Sequence, residues 1–350
     1  MNISKISNVR VEAISACVPS NTVNNREFAK MHFPDVDLTN TITALGVEER
    51  HVCSSAKTTS LDLCVEAAKK IFASGFDKSE IGAVVFVTLT PDCLMPNNAS
   101  YVQYLLGLKK GIPAFDINHA CSGYLYGLWN AAMVANNMGV KVLLLDGDVN
   151  THYVSPDDKS TALLFGDAGT ATIISPSEGA KDWNFTFNTD GSNRDAILMR
   201  LGFRDLISEN LLKYKTYEDG SKRRFIDMQM DGRRVFDYVV LTVPKIVREF
   251  MDELETGPSE FDKLLLHQAN FFMLRKLAKA IGFSKEVMPV SMDKYGNTSS
   301  VSIPLTICSE LQGKDIGNVL MIGMGAGLAT GIGDISLKDA RFFGVENIEC

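Results

Sequence analysis

Short apolar runs and longer amphipathic segments alternate along this chain. Runs rich in β-branched and apolar residues, with little polar alternation, indicate strands that are buried on both faces of a sheet. The predicted strands cover residues 8–16, 83–90, 112–117, 141–146, 166–174, 183–188, 263–266, 319–322 and 330–337. Apolar residues recur at helical spacing between these runs, which indicates helices that pack on the sheets. The predicted helices cover residues 60–72, 97–106, 235–253, 271–281 and 301–311, together with one that follows Cys121.

The order of these elements predicts a layered α/β fold. Alternation of strand, helix and strand favours mostly parallel sheets, because parallel neighbours need a crossover between them. The rhythm of the first half recurs in the second, which suggests a duplication with halves at residues 1–178 and 179–350. Ser60 is the predicted N-cap of the first long helix, and residues 330–337 form the predicted last strand.

Composition places the chain among ordinary globular proteins. Its 350 residues, 45% hydrophobic and 22% charged, suit two domains or one duplicated fold. The net charge of −7 argues against a nucleic-acid partner. No apolar run approaches the ~18 residues of a membrane span, and no signal pattern is visible, so we expect a cytoplasmic protein without membrane contact. Seven scattered cysteines without a C-x-x-C pair, and histidines without ligand spacing, predict neither a disulfide framework nor a metal site.

The stretch 111–140 carries the strongest chemical signal. A short apolar run leads into Asn118-His119-Ala120-Cys121, and small and apolar residues at helical spacing follow. This pattern predicts a buried strand, a tight turn and a core helix whose first turn holds Cys121. A helix N-terminus offers free N–H groups and a positive dipole end, both of which favour a thiolate. Cys121 is therefore a candidate nucleophile with its own N–H as an oxyanion donor, although an inert buried thiol explains the stretch equally well.

Two further polar residues stand at places where catalytic groups gather. His267 ends the predicted strand 263–266, and catalytic side chains of open α/β sheets collect at such strand ends. Asn297 lies in a Gly-Asn turn before the helix predicted at 301–311. Taken singly, each residue is explained as well by capping or packing.

Two chemistries use a set of Cys, His and Asn. Papain-like proteolysis fits the order and spacing of Cys121 and His267, but its local signature C-G-[SA]-C-[WY] is absent. In thioester condensation the thiolate takes an acyl group, while His and Asn bind the carbonyl oxygen of a second thioester. Asn cannot titrate, so this pair suits stabilising an enolate formed by decarboxylation better than removing a proton.

Seven segments, in the same order, resemble the β-ketoacyl-[acyl-carrier-protein] synthase III family of the thiolase-like superfamily. They include FDINHACSGYLYGL, LLLHQANFFML, YGNTSSVSIPL and IGMGAGLATG. The seven segments span residues 90–108, 115–128, 163–174, 230–240, 264–274, 295–305 and 322–331. The resemblance covers nearly the whole chain and implies an α/β fold of the thiolase-like kind, duplicated and five-layered (αβαβα).

The resemblance also implies roles for individual residues. Cys121 matches the acyl-accepting nucleophile, and His267 and Asn297 match the pair that activates a malonyl-type thioester. The N–H near Ala326, in the turn with Gly325, matches the oxyanion donor that acts beside that of Cys121. The implied reaction is ping-pong: Cys121 is acylated, the malonyl-type thioester loses CO2, and its carbanion attacks the acyl-Cys. No permanently bound cofactor is implied, and the substrates are acyl-CoA or acyl-carrier-protein thioesters.

Several implied substrate contacts depart from the family pattern. The family forms homodimers, and Met95 matches the residue that one subunit inserts into its partner's acyl pocket. Lys159, Phe272 and Gly325 are the other candidates for substrate binding. Ala44, Lys159 and Phe272 stand where family members commonly carry arginines that contact CoA, and none of the three can both stack on adenine and bind phosphate through two N–H groups. A carrier protein therefore becomes a candidate donor in place of acetyl-CoA.

An acidic carrier protein needs a basic docking face. Arg275, Lys276 and Lys279, on the helix after His267, are the candidate docking residues. A second basic cluster consists of Lys213, Lys215, Lys222, Arg223 and Arg224. Ordinary solvated surface explains both clusters about equally well.

The leading hypothesis is an acyltransferase of the condensing type, with a role in secondary metabolism or specialised fatty-acid or polyketide synthesis. The first alternative is transfer of the acyl group from Cys121 to an amine or a hydroxyl. The second is a catalytically silent carrier-binding protein, and the joint presence of Cys121, His267 and Asn297 argues against it.

Overall fold

The computed structural model describes residues 1–55, 57–200 and 211–349. Residues 204–224 are rich in charged side chains, and the first part of this segment, up to residue 210, lies outside the described residues, as does Cys350. The strands are β1 (Ser4–Ile6), β2 (Val9–Pro19), β3 (Thr22–Asn24), β4 (Glu49–His51), β5 (Ile81–Val87), β6 (Ala114–Ile117), β7 (Lys141–Asp148), β8 (Ala168–Pro176), β9 (Trp183–Thr189), β10 (Ile197–Leu198), β11 (Lys215–Thr216), β12 (Lys222–Arg223), β13 (Gln229–Met230), β14 (Lys263–Leu266), β15 (Asn318–Gly325), β16 (Ala329–Ser336) and β17 (Arg341–Ile348).

Ten α-helices are present in the described part of the chain. They are α1 (Asn25–His32), α2 (Thr39–Leu45), α3 (Ser60–Ala73), α4 (Asn98–Leu105), α5 (Gly123–Met138), α6 (Gly232–Asp237), α7 (Val243–Glu253), α8 (Phe271–Ala280), α9 (Met292–Tyr295) and α10 (Ser302–Glu310). A π-helical segment, Tyr238–Thr242, joins α6 to α7.

Two mixed sheets repeat one order of strand pairing. The first sheet has the order β17-β2-β8-β7-β5-β6, and the second has the order β1-β9-β16-β15-β14. In the first, the parallel pair β5–β7 is followed by the antiparallel pairs β7–β8 and β8–β2. In the second, the parallel pair β14–β15 is followed by the antiparallel pairs β15–β16 and β16–β9. The repeated order confirms the predicted duplicated α/β fold.

The two sheets exchange their edge strands. β1 pairs antiparallel with β9 in the second sheet, and β17 pairs parallel with β2 in the first. The chain before residue 178 therefore contributes β1 to the second sheet, and the chain after residue 178 contributes β17 to the first sheet. The division into 1–178 and 179–350 stays a prediction.

Helices α5 and α10 fill the layer between the two sheets. α5 contacts β5 and β7 on one side and β15 and β16 on the other, and α10 contacts β2 and β14. α5 lies close to β5 because Gly123 and Gly127 face Val87: a Cβ at either glycine would stand 2.7 Å from a Val87 methyl. α3 and α4 cover the outer face of the first sheet, while α7 and α8 share an apolar cluster with β14, β15 and β16 on the second. These are the five layers αβαβα.

The sheets are mixed, so the prediction of mostly parallel sheets is wrong. β7 is joined to its antiparallel neighbour β8 by residues 149–167, which contain the short 3-10 turn Asn150–Tyr153 and no crossover helix. A strand buried on both faces has the same apolar pattern in either direction, so the pattern alone could not distinguish the two arrangements.

Other predicted elements also differ from the structure. The helix predicted at 235–253 is divided into α6, the π-helical segment and α7. Thr59, not Ser60, is the N-cap of α3, because Thr59 and Asp62 form a reciprocal capping box. β17 follows the strand that was predicted to be the last. It is a partly exposed edge strand, so its apolar pattern is weak.

Candidate active site

Cys121 lies in the turn between β6 and α5. Ser122 is the N-cap of α5 and the helix begins at Gly123, so Cys121 precedes the helix rather than lying in its first turn. Ser299 Oγ donates a hydrogen bond to Cys121 Sγ across 4.0 Å. The backbone N–H groups of Cys121 and Ala326 also reach the sulfur, where both lower the pKa of the thiol. Two N–H donors therefore converge beside the sulfur, as an oxyanion hole requires.

The Cys121 thiol is protonated at neutral pH. Burial raises its pKa to about 12, and the negative charge of Asp148 adds to the rise, against the lowering by Ser299 and the two N–H groups. The nearby N–H groups favour the thiolate, as expected, but burial opposes it and has the larger effect on the pKa. The free-energy cost of desolvating the thiolate exceeds the stabilisation that the nearby hydrogen-bond donors give it. Acylation consequently needs a group that takes the thiol proton.

Gly325, the last residue of β15, allows the chain to pass close to the nucleophile. A Cβ at this position would stand 2.7 Å from Cys121 Cβ and 2.9 Å from Cys121 Sγ. Gly323 is similar, since its Cβ would lie 2.7 Å from Ser122 Cα. The absence of side chains at these two positions brings the N–H of Ala326 next to Cys121.

His267 follows β14 directly and is buried. The backbone N–H of His267 donates to the Ile322 carbonyl at 2.9 Å. Nδ1 lies 2.8 Å from Ser302 Oγ and 3.0 Å from the Ser299 carbonyl oxygen. The Ser302 hydroxyl lies 2.8 Å from the Ser299 carbonyl as well as from Nδ1, and a carbonyl oxygen can only accept. If the hydroxyl donates to the carbonyl, Nδ1 carries the ring proton; if the hydroxyl donates to Nδ1, the ring proton resides on Nε2 and can be donated to a substrate. Burial lowers the pKa of His267 to about 4, so the ring is neutral at neutral pH.

Asn297 is fixed by both its backbone and its side chain. Its N–H donates to the Leu164 carbonyl at 2.8 Å, and its own carbonyl accepts from Gly166 N–H at 3.1 Å. Asn297 Oδ1 accepts from Ser299 N–H at 2.9 Å. This bond leaves the Nδ2 amide as a donor for the cavity that Asn297 lines.

Cys121, His267 and Asn297 line one cavity of about 550 Å³. The predicted residues Lys159, Gly325 and Ala326 line the same cavity. Much of the remaining wall is apolar and includes Leu89, Ile197, Met228, Met230, Val239 and Met324. An apolar cavity with a few convergent polar groups suits an extended acyl or pantetheine chain.

Some lining residues were not predicted from the sequence. Arg233 is exposed at the cavity and is a second basic side chain beside Lys159. Its position in MDGRRVFDYVV, a segment that carries the family resemblance, was the available signal. Ser299 and Ser302 lie in the segment that holds Asn297, but their contacts depend on the tertiary fold.

Phe272 lies beside this cavity, not in its wall. It belongs to a neighbouring shallow pocket with Ala44, and the two pockets share Thr41, Leu45, Phe236 and Asn270. The Phe272 ring is 48% exposed and stacks on Phe236, with 5.9 Å between the ring centres. Lys276 Nζ lies 5.4 Å from the centre of the Phe272 ring. An aromatic surface with one cation therefore occupies the mouth of the cavity.

The two basic clusters differ in how freely their charges are presented. Arg275, Lys276 and Lys279 are exposed on α8. In the second cluster, Arg223 is buried and its guanidinium lies 3.0 Å from the carboxylate of Asp158. Arg224 of the second cluster forms an ion pair with Asp227. The charges that this cluster exposes to solvent are therefore mainly those of its lysines.

Met95 lies outside the cavity of its own chain. Its side chain is 85% exposed, and Leu94 beside it is 80% exposed. Tyr101 and Tyr104 on α4 are also exposed and stack on each other, with 6.1 Å between ring centres. The loop before α4 and one face of α4 therefore present an apolar surface to solvent.

Within 1–55, 57–200 and 211–349, no three His, Cys, Asp or Glu side chains are grouped so that they could hold a metal ion. No helix in these ranges combines the length and the apolar character needed to cross a membrane.

Comparison with known proteins identifies the family. The 3-oxoacyl-[acyl-carrier-protein (ACP)] synthase III model matches residues 115–191, and the model of the C-terminal part of that enzyme matches residues 251–334. A beta-ketoacyl-[acyl-carrier-protein] synthase III of Streptococcus pneumoniae (strain Hungary19A-6) is 32% identical over 331 residues, which are 92% of this chain and 97% of the relative.

Solved structures agree with this match. A 3-oxoacyl-(acyl-carrier protein) synthase from Burkholderia xenovorans LB400 is 30% identical and superposes with a TM-score of 0.89 over 99% of both chains. The priming β-ketosynthase of the R1128 polyketide pathway has a TM-score of 0.82 over 97% of this chain and 99% of its own. At 24% identity, the latter supports the fold alone.

The chain belongs to the β-ketoacyl-[acyl-carrier-protein] synthase III family. It is a condensing enzyme of the acyltransferase class with the thiolase-like fold, as the resemblance implied. Papain-like proteolysis is thereby set aside.

Proposed function

We propose that the chain condenses an acyl group carried on Cys121 with a malonyl-type thioester and releases CO2. One observation supports this most directly: Cys121, His267 and Asn297 line a single cavity, and the N–H groups of Cys121 and Ala326 reach the sulfur. The arrangement supplies a nucleophile, an oxyanion hole and two donors for a second carbonyl.

In the first half-reaction Cys121 Sγ attacks the carbonyl carbon of an acyl thioester. The N–H groups of Cys121 and Ala326 donate to the oxygen as it becomes negative. The leaving thiol departs, and the acyl-Cys remains in a largely apolar cavity, where little water competes with the second substrate.

In the second half-reaction a malonyl-type thioester binds with its carbonyl oxygen between His267 Nε2 and Asn297 Nδ2. Loss of CO2 leaves an enolate whose charge these two donors stabilise. His267 is neutral and Asn297 cannot titrate, so neither removes a proton from the substrate. The carbanion attacks the acyl-Cys, and the β-ketoacyl thioester is released.

The donor is proposed to be an acyl-carrier-protein or acyl-CoA thioester. Lys159 and Arg233 would contact the phosphate of the phosphopantetheine arm, Lys159 as a point charge and Arg233 through two N–H groups. Phe272 would pack against the arm at the mouth. Exposed Arg275 and Lys276, with Lys279, would receive an acidic carrier protein.

A homodimer is proposed for the assembled enzyme. The exposed Leu94, Met95, Tyr101 and Tyr104 form an apolar surface of the kind that subunit contacts cover. Met95 would then complete the acyl pocket of the partner. A cytoplasmic location and a role in specialised fatty-acid or polyketide synthesis belong to the same proposal.

The test of the reaction is the mass of its product. The enzyme is incubated with an acyl thioester and a malonyl thioester, and Cys121→Ala serves as the matched control. Condensation predicts CO2 and a β-ketoacyl thioester with wild type and no condensation product with Cys121→Ala. Simple acyl transfer to an amine or hydroxyl acceptor, without CO2, would overturn the proposal in favour of the acyl-transfer alternative.

A further inference from the structure

Asn150 lines the cavity of Cys121 but has no part in the proposed mechanism. It begins the 3-10 turn that follows β7, and it has no exposed surface. Neither Nδ2 nor Oδ1 of its side chain has a hydrogen-bond partner among the described residues. A buried amide without partners is unfavourable, because it has lost its hydrogen bonds to water and has gained none in the protein. In the wall of a cavity, such an amide is available to a ligand.

Asn25 shows how a buried asparagine is otherwise accommodated in this chain. Its Nδ2 donates to the carbonyls of Val47 at 2.9 Å and Leu163 at 2.8 Å. Its Oδ1 accepts from Arg50 Nε at 2.7 Å. Both residues are fully buried, so the difference between Asn25 and Asn150 lies in their pairing and not in their exposure.

The backbone on either side of Asn150 is fixed. Val149 N–H donates to Thr90 Oγ1 at 3.0 Å. Thr151 N–H donates to Asp167 Oδ1 at 3.0 Å. These bonds hold Asn150 at the wall of the cavity while its side-chain amide stays unpaired.

Asn150 lies at the same edge of the first sheet as Cys121. β6, β5 and β7 are parallel neighbours in that order, so their carboxyl ends meet at one edge. Cys121 follows β6, Leu89 follows β5 and Asn150 follows β7, and all three residues line the cavity. The ends of β6 and β7 are two strand spacings apart, about 10 Å. The side chains of Cys121 and Asn150 span part of this distance, so the first few carbons of an acyl group on Cys121 can reach Asn150.

A ligand reaches the buried amide by displacing a neighbouring side chain. Met228 lines the cavity, and its N–H donates to the carbonyl of Tyr153, the last residue of the turn that Asn150 begins, at 2.8 Å. The unbranched side chain of a methionine changes rotamer easily, so Met228 can make room beside the turn.

The amide of Asn150 determines which polar group can pair with it. Nδ2 donates and Oδ1 accepts, so full pairing needs a group that both accepts and donates. A hydroxyl does both through one oxygen, whereas a carbonyl only accepts, an ammonium only donates and a methylene does neither. Leu89 and Met228 in the same cavity are apolar and suit the carbon chain that carries the hydroxyl.

We propose that Asn150 is a specificity-determining residue, and that the acyl group delivered to Cys121 carries a hydroxyl on its second or third carbon. The proposal rests on the proposed function, because it names the acyl group of the first half-reaction. Asn150 contacts the hydroxyl and not the reacting carbonyl, so it selects the donor and leaves the chemistry to the other residues.

The experiment compares butyryl, 2-hydroxybutyryl, 3-hydroxybutyryl and 3-oxobutyryl thioesters of CoA and of an acyl carrier protein, with both enantiomers of each hydroxyacyl group. Rapid quenching and intact mass give the rate of acylation of Cys121 at low donor concentration. For wild type we expect one hydroxybutyryl donor to react about thirtyfold faster than the butyryl donor, with the 3-oxobutyryl donor between them.

Three variants locate the source of this preference. Asn150→Ala should abolish it, and Asn150→Leu should reverse it, because a methyl group would then face the hydroxyl. Asn25→Ala is the control: it removes the same atoms from a buried asparagine outside the cavity, and should keep the wild-type preference.

Thermal unfolding provides a readout that needs no donor. Asn25→Ala leaves its three partners unpaired and should lower Tm by about 5 °C or more, whereas Asn150→Ala should leave Tm within about 2 °C of wild type. Equal falls in the two variants would show that the Asn150 amide is paired within the protein, which contradicts the proposal.

Two kinetic results would overturn the proposal. One is a wild-type enzyme that reacts with the butyryl donor as fast as with every hydroxybutyryl donor. The other is a hydroxyl preference that persists in both Asn150→Ala and Asn150→Leu. In either case Cys121 is still acylated, so the proposed function stands.

Failure of the proposed function has a different signature. If no thioester forms an adduct on Cys121 of wild type, the function fails, and calorimetry of CoA thioesters with Cys121→Ala then tests Asn150 without acylation. The proposal predicts about tenfold tighter binding of a hydroxybutyryl thioester than of the butyryl thioester, and no difference once Asn150→Ala is added. Equal affinities for Cys121→Ala alone would overturn it.

Discussion

The floor of the cavity is held by backbone hydrogen bonds, whereas its mouth is made of exposed side chains. At the floor, His267 and Asn297 are each tied by bonds of about 3 Å to neighbouring strands and turns, and Cys121 lies against a glycine. At the mouth, the Phe272 ring stacks on Phe236, and the Lys276 ammonium lies above the Phe272 ring. The difference suggests that the floor determines the reaction and the mouth determines which donor delivers the acyl group. Changes at the floor should therefore abolish chemistry, and changes at the mouth should alter only substrate preference.

The largest effect is expected for Gly325→Ala at the floor. The new Cβ would lie 2.7 Å from Cys121 Cβ and 2.9 Å from Sγ, so the nucleophile or the Ala326 N–H must move. We expect acylation of Cys121 to fall by about a thousandfold, the upper end for loss of one oxyanion donor. Intact mass after incubation with an acyl thioester measures the rate. Gly191→Ala is the control, because a Cβ there meets nothing within 4 Å, and equal rates for the two variants would contradict the role of Gly325.

Asn297→Ala should separate the two half-reactions. It removes one of two donors to the malonyl thioester, so decarboxylation should fall by about a hundredfold or more. Acylation of Cys121 should persist within a few fold, because Asn297 does not contact the acyl carbonyl in the proposed mechanism. Release of CO2 and intact mass of the enzyme measure the two steps separately. Parallel loss of both steps would show that Asn297 supports the site structurally and is not a donor.

A smaller effect is expected for charge reversal at the mouth. Replacement of Arg275, Lys276 and Lys279 by Glu should raise KM for an acyl-carrier-protein donor by about tenfold, with a strong dependence on salt. KM for the corresponding acyl-CoA should change less. The same reversal at Lys213, Lys215 and Lys222 serves as the control for general charge effects. A larger effect from this second set would move the docking face to the second basic cluster.

The smallest effect is expected from pH on decarboxylation. Burial holds the pKa of His267 near 4, so the neutral ring persists from about pH 8 down to about pH 5. The rate should therefore stay flat over this range and fall only as the pH approaches 4, where the ring becomes charged. The pH profile of CO2 release with Cys121→Ala isolates this half-reaction from acylation. A fall in rate centred near the ordinary histidine value of about 6.5 would contradict the buried, neutral state.

The sequence predicts the candidate catalytic residues at the floor of the cavity better than it predicts the burial and the contacts of these residues. Cys121, His267 and Asn297 each lie at a turn that follows or precedes a recognisable element, so residue type and local pattern marked them as candidates, and the family resemblance implied their roles. The protonated state of Cys121 was not predictable, because it depends on burial by β15 and the Ser299 segment.

Similar physical reasons explain the errors in the fold. The apolar pattern found the buried strands of both sheets, but it could not report their direction, so the antiparallel pairing of β7 with β8 was missed. β17 was missed because an exposed edge strand needs few apolar residues. At the mouth, the loss of family arginines was visible in the sequence, whereas the stacking of Phe272 on Phe236 was not.

The central claim is that Cys121 carries the acyl group through a decarboxylative condensation. The most direct test is intact mass and peptide mapping after incubation with a panel of acyl-CoA and acyl-carrier-protein thioesters, followed by malonyl thioester labelled at its free carboxyl carbon. The account predicts an acyl adduct on Cys121 that disappears as labelled CO2 and an unlabelled β-ketoacyl thioester form. Absence of an adduct on Cys121 with every thioester, or a product that retains the label, would contradict it.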